Sequence, residues 1–300
     1  MTTTELIVTG RRAQHRHRPG ASARRRRAAS RTIQVVALSL GALVFLFPFY
    51  YMLIVSFSPS WTADWSVLVP GQLTLNNYAE LFESTNVGRS MINSAIFAGG
   101  VVLLTQIGAL LCGYALAFIR FHGSRLVFGT VLLLQIVPFQ VLLIPLYVLV
   151  TRSYGLGDSY AGMILPFAIN AGVVFIYRQF FLTIPVEMIE AAKLDGAGHV
   201  RTLLHVILPL TRPALVTGVV LSFVGPWNDF LWPFLITKAQ EMQPLAVSLI
   251  SFQSNIIQRL DNPTGAIMAD ATLLMLPSVV LFVLGQRWFT TAGLGGAVKE

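Results

Sequence analysis

Charge is what this chain has least of: 11% of its 300 residues are Asp, Glu, Lys or Arg, where a soluble domain carries about 25%. So few charges cannot cover a water-facing surface, which excludes a soluble globular protein. Lysine is scarcer still, with Lys193, Lys238 and Lys299 preceded by Ala, Thr and Val. A phosphate-cradling loop needs Gly-Lys followed by Ser or Thr. The chain has none, so any ATP-driven activity requires a separate ATPase. The one cysteine, Cys112, rules out disulfides and cysteine metal clusters and reads as a small packing residue. Neither His-Glu-x-x-His nor Gly-x-Ser-x-Gly occurs. His15, His17, His122, His199 and His205 are not paired at metal-ligand spacing within an apolar run, and read as plain surface residues. No catalytic residue, metal or cofactor is therefore expected. Internal repeats are also missing, which withholds support from an inverted-repeat carrier.

What is present is apolar: 55% of residues are hydrophobic and the mean hydropathy is +0.69. A membrane-spanning helix needs about 20 mostly apolar residues. Six runs qualify: Ile33–Phe57, Ser94–Phe118, Leu126–Val150, Ala161–Phe181, Pro213–Ile236 and Ala269–Phe289. The first is too long for the core of a signal peptide, which has about 7–15 apolar residues, and is read as an uncleaved span. Pro48, Pro138, Pro145, Pro166, Pro226, Pro233 and Pro277 fall inside these runs. Prolines at membrane depth are tolerated where neighbouring helices satisfy the freed backbone groups. The expected fold is all-α: a polytopic membrane protein of six transmembrane helices packed as a bundle.

Six spans put both termini on one side, and basic residues choose the side. Seventeen of the 21 Lys and Arg residues lie in the N-terminal segment, the second and fourth connections and the C-terminus, counting Arg178 and Arg287 at the adjoining ends of their runs. The opposite set holds only Arg89, Arg152, Lys238 and Arg259. Both termini are thus expected to be cytoplasmic, in an inner (cytoplasmic) membrane. Residues 1–32 form a basic tail, expected to be disordered, with nine Lys/Arg including Arg24–Arg27. Without aromatic interleaving or a folded domain around it, this run is read as a topology signal attracted to anionic membrane lipid and not as a nucleic-acid site. Residues 33–300 form the membrane domain.

One connection does not suit a passive loop. Thr183–Pro209 carries Glu187, Glu190, Asp195, the basic residues Lys193 and Arg201, and two histidines, and the orientation places it in the cytosol. Pro185 suits the start of a helix, where its missing donor costs nothing, and Glu187 and Glu190 fall near that helix's positive end. Val186, Ile189 and Leu194 give it a partial apolar side. Gly196 is expected to stop it. A second short helix, Val200–Ile207, is expected to end before Leu208-Pro209, because a residue preceding proline avoids helical geometry.

These residues resemble the signature loop of ATP-binding cassette importer permeases: Glu190-Ala191-Ala192, Gly196, an aliphatic Val206 and Leu208-Pro209 at matching spacing. The wider pattern is similar to the carbohydrate-uptake subfamily, and most of all to the smaller six-helix subunit of the maltose-type permease pair. It includes Asn77-Tyr78, Asn93-Ser94, Arg178-Gln179-Phe180, Leu194-Asp195-Gly196-Ala197, Trp227-Asn228-Asp229-Phe230 and Gly296-Ala297-Val298-Lys299. Val206 replaces the usual isoleucine, and the basic tail is not part of the shared pattern. The resemblance implies a sugar importer permease, for a di- or oligosaccharide. It implies pairing with a homologous permease subunit, two ATPase subunits and an extracytoplasmic solute-binding protein. It also implies that the loop is a coupling element docking in a cleft of the ATPase, through Glu187, Glu190, Ala191, Ala192, Asp195, Gly196 and Pro209.

Inside the spans, Asp229 lies roughly 24 Å along the fifth helix from its cytoplasmic end, beside Trp227 and Asn228. The three can line a sugar pathway, with an aromatic face and polar groups for hydroxyls. They can equally form an interfacial anchor and a helix-breaking polar pair. Gln135, Gln140 and Asn170 are weaker candidates, in keeping with interhelical hydrogen bonds. Two other function classes compete: an ion-coupled secondary carrier acting alone and an intramembrane enzyme. Both want constellations of polar residues that the spans lack.

Overall fold

The computed structural model describes residues 21–60, 68–69, 71–84, 86–255 and 260–294, and among them the regular structure is helical. Three helices are long and apolar enough to cross a membrane unbroken: α1 (Ala21–Ser56), α3 (Val87–Phe118) and α14 (Pro263–Leu294). Three further runs qualify only as bent pairs, making six spans when each pair counts as one. Helix α1 begins at Ala21, upstream of Ile33, so Arg24–Arg27 lie in its first turns. Residues 1–20 of the basic tail and the Gly296–Lys299 motif lie outside the described residues. Among the described residues, those up to Tyr51 belong to one compact unit and those from Met52 onward to a second.

Each break has a local cause. Helix α4 (Ser124–Leu134) turns by 96° into α5 (Phe139–Val148) and its π-helical extension Leu149–Ser153. The hinge is Pro138 in an extended conformation (φ −63°, ψ 131°), and the residue before a proline resists helix. Helix α6 (Tyr160–Ile164) and the 3₁₀ turn Leu165–Phe167 bend by 46° into α7 (Ala171–Phe181). There Asn170 opens a fresh helix by accepting the Val173 N–H at 3.2 Å, a side-chain N-cap. The fifth run is entered through a sharp bend and broken once. Helix α11 (Arg212–Asn228) leaves the loop at 88°. It then stops at Asp229, which starts the short α12 (Leu231–Ile236). Pro145, Pro226 and Pro277, by contrast, sit within helices.

Several residues of the recognised pattern prove to be ties between loops and spans. Asn77, on α2 (Asn76–Ser84), donates to the Ser56 and Ser58 carbonyls at 2.9 Å, and Asn262 reaches the Ser58 carbonyl at 3.0 Å. Asn93, fully buried on α3, donates to the Glu241 and Gln243 carbonyls (2.8 and 3.0 Å) and accepts from the Tyr160 hydroxyl (2.7 Å). Ser94 accepts the N–H of Leu245, the first residue of α13 (Leu245–Asn255), at 2.8 Å. Buried amides with every bond matched hold the connections on the far side of the bundle from residues 183–209 in a single register.

Candidate functional site

The segment from Thr183 to Pro209 folds as an elbow. Helix α8 (Val186–Leu194) is preceded by Pro185 in an extended conformation, so Pro185 stands one residue ahead of its expected helical position. The C-terminus closes as a Schellman motif. Ala197 N–H bonds to the Ala192 carbonyl (2.9 Å), Gly196 N–H bonds to the Lys193 carbonyl (3.0 Å), and Gly196 takes φ +78°. After Gly198 the chain re-enters helix as α9 (His199–Thr202). The expected stop before Leu208-Pro209 does not occur: helix continues through a π turn, Leu203–Ile207, into α10 (Leu208–Leu210). Pro209 cannot donate to the carbonyl four residues back, and the wider π turn absorbs the missing bond without ending the helix.

Burial divides the elbow into two faces. Glu187, Glu190, Ala191, Lys193, Asp195, Gly196 and Pro209 are exposed. Exposed apolar side chains stand among them: Val186, Met188, Val200 and Leu194, the last 89% accessible. Of the expected apolar side of α8, only Ile189 turns inward, together with Ala192. The inner face is strongly anchored. Leu203 and Ile207 join a buried cluster with Tyr114 of α3, Val173, Val174, Tyr177 and Phe181 of α7, and Ala214 of α11. Each such aliphatic side chain contributes about 1.5–3 kcal/mol relative to exposure to water. His199, expected to be a plain surface residue, shares a 2.9 Å hydrogen bond between its Nδ1 and the Tyr114 hydroxyl. The elbow therefore presents an acidic and apolar surface outward while being joined to three spanning helices inward.

The structure separates Trp227, Asn228 and Asp229. The Trp227 indole is buried against Phe223, 5.4 Å between ring centroids, and donates to the Leu274 carbonyl at 2.7 Å. Asn228 donates to the Val224 carbonyl (2.8 Å) and to Ser278 on α14 (3.3 Å). Asp229 accepts the Leu231 N–H at 3.0 Å, and so caps α12. Asp229 alone of the three lines a cavity of about 380 Å³, with Asn170, Ser222, Phe139, Phe167 and Val101 among its other walls. Phe139 and Phe167 lie 5.2 Å apart and both meet the fully buried Trp232 edge-on. Gln135 and Gln140 are exposed and do not line it. Sequence reasoning missed Ser222, Phe139 and Phe167. It also missed Asp270 of α14, which is 1% accessible with both carboxylate oxygens unpartnered. Asp270 sits at the edge of an apolar run, so nothing marked it as deeply buried.

Residues 108–292, which take in the elbow and all three broken spans, match the family described as binding-protein-dependent transport system inner membrane component. The chain belongs to this family. This inner membrane component is 29% identical over 268 residues to the arabinooligosaccharides transport system permease protein AraQ of Bacillus subtilis, covering 86% of this chain and 92% of AraQ. It is 31% identical over 277 residues to the sn-glycerol-3-phosphate transport system permease protein UgpE of Agrobacterium fabrum, covering 88% and 95%. Its fold matches a chain in the crystal structure of a bacterial ABC transporter involved in the import of the acidic polysaccharide alginate. The TM-score is 0.78 and the identity 23%, over 90% of this chain and 98% of that one. As an inner membrane component it is a multi-pass permease subunit of an ABC import system, which displaces both the carrier acting alone and the intramembrane enzyme.

Proposed function

We infer that this chain moves a di- or oligosaccharide across the cytoplasmic membrane, as one of two homologous permease subunits driven by two ATP-binding cassette subunits and supplied by an extracytoplasmic binding protein. The observation that carries the ATPase partnership is the elbow: exposed carboxylates and apolar side chains on a rigid turn, bonded through His199 and Tyr114 to α3. Glu190 offers its carboxylate to basic groups on the ATPase, Ala191 permits close approach, and Gly196 sets the angle. The asymmetry of Lys and Arg between the two sets of connections supports a cytosolic position for this face and for both termini. Solubilised in mild detergent, the chain is expected to co-purify with an ATPase and a second permease. A folded chain that consistently emerges alone overturns the reading.

The cavity at Asp229 supports a sugar as cargo. Aromatic walls suit the apolar face of a pyranose, while Asp229, Asn170 and Ser222 supply acceptors and donors for hydroxyls. Its volume of about 380 Å³ lies within the usual range for small-molecule sites. Asp229→Ala removes both the carboxylate and the α12 cap, a loss of about 0.5–2 kcal/mol, and is expected to lower uptake several-fold. Asp229→Asn keeps a capping oxygen and should fall between Ala and wild type. Equal uptake at equal complex yield for both variants would make Asp229 a bystander.

A further inference from the structure

Resting on the importer reading above, we propose that Gln106, Tyr177 and Ser222 form a positioning bridge that carries displacement of the elbow to the sugar cavity. Tyr177 is fully buried on α7, within the cluster that holds Leu203 and Ile207 of the elbow. Its hydroxyl donates to Gln106 Oε1 on α3. The other end of the same amide, Nε2, donates to Ser222 Oγ on α11 at 3.2 Å, and Ser222 donates onward to the Gly218 carbonyl at 2.7 Å. One run of donors and acceptors thus ties α7 to α3 to α11. It begins in the cluster beneath the elbow and ends on a residue that lines the cavity, one to two turns from Gly225 and Asp229.

Apolar packing alone would hold three helices together in lipid, but apolar faces slide past one another by small shear movements. Hydrogen bonds are directional. The two that cross between helices, Tyr177 to Gln106 and Gln106 to Ser222, therefore fix the rotation and register of α7 and α11 relative to α3, so a movement imposed on Tyr177 reappears at Ser222. Gly218 belongs to the device: a Cβ added there would land on the Tyr177 hydroxyl, so this position has to be bare for the bridge to close. None of the three side chains belongs to the elbow itself, and of the three only Ser222 meets the cavity.

The test uses the whole complex in proteoliposomes with its binding protein. The probe is whichever of arabinotriose, maltotriose and sn-glycerol 3-phosphate the wild-type complex accumulates, and the readout is probe moved per ATP hydrolysed. Tyr177→Phe deletes only the hydroxyl and Gln106→Leu removes both amide bonds. Each is expected to lower that ratio at least fivefold, with complex yield and basal ATP hydrolysis within twofold of wild type. The double variant should be no worse than Gln106→Leu alone, since groups acting through one bond are not additive. A ratio within twofold of wild type in the variants that assemble overturns the bridge. Additive losses, or a fall in yield that accounts for the loss of transport, also overturn it and leave a merely structural role. A wild-type complex that hydrolyses ATP but accumulates none of the probes counts instead against the sugar reading. In that case the bridge is judged on whether Tyr177→Phe and Gln106→Leu abolish stimulation of ATP hydrolysis by the binding protein. Undiminished stimulation overturns it.

Discussion

Glu190→Lys is expected to abolish uptake while the chain still inserts and accumulates normally. Glu190 is exposed on α8 and has no ion pair within the described residues, so reversing its charge disturbs nothing inside the subunit. The damage falls on the partner. A carboxylate buried at an interface against a basic group is worth about 2–5 kcal/mol when one side is lost, and reversal adds like-charge repulsion. At 1.4 kcal/mol per tenfold, that weakens docking by roughly 30-fold to a few thousand-fold. Two measurements check it: uptake in cells, and recovery of the ATPase with the tagged permease. Lost uptake with lost ATPase places Glu190 at the docking surface. Unimpaired uptake removes the docking role, whatever the fate of the complex in detergent.

The same exposed position explains why this part of the molecule was legible in the sequence. An elbow that must stay polar in an apolar chain stands out by composition, and its turn is marked by a glycine whose φ of +78° no β-branched or bulky residue adopts readily. The spans were legible for the same reason, since about 20 apolar residues have few other uses. Their breaks were not. Pro138 hinges a 96° turn while Pro145 and Pro226 pass inside helices. The outcome depends on which neighbours satisfy the freed carbonyls, and that is a tertiary property.

The cavity shows the limit most plainly. Successive helical residues point about 100° apart, so neighbours in sequence do not face one another. Trp227, Asn228 and Asp229 accordingly head into a core, toward α14 and into the cavity. The true companions of Asp229 are Phe139, Phe167 and Asn170, brought in by breaks in two other spans. Those breaks serve the site: an uninterrupted helix has no unpaired ends to cap, and here Asn170 and Asp229 each open a new helix at the cavity wall. The side chains that disturb the helices are the ones left facing a polar ligand.

Gly196→Pro is expected to eliminate transport, and a graded series at this position separates conformation from bulk. A Cβ placed on Gly196 would meet no atom within 4 Å, so a substituent has room and steric crowding is not the obstacle. Backbone geometry is. An L-residue in the left-handed region costs about 1–2 kcal/mol, and asparagine tolerates it better than most. Gly196→Asn should therefore transport nearly as wild type and Gly196→Ala should fall a few-fold below it. Proline cannot comply at all: its φ is locked near −65°, and it lacks the N–H that bonds to the Lys193 carbonyl. The Schellman turn is lost and α8 is re-aimed relative to α9, while Leu203, Ile207 and the spanning helices stay packed. Uptake and ATPase recovery, measured at matched membrane abundance, should rank Gly, Asn, Ala, Pro. A flat series would mean that the angle between the two short helices does not matter, and the elbow would lose its standing as a coupling element.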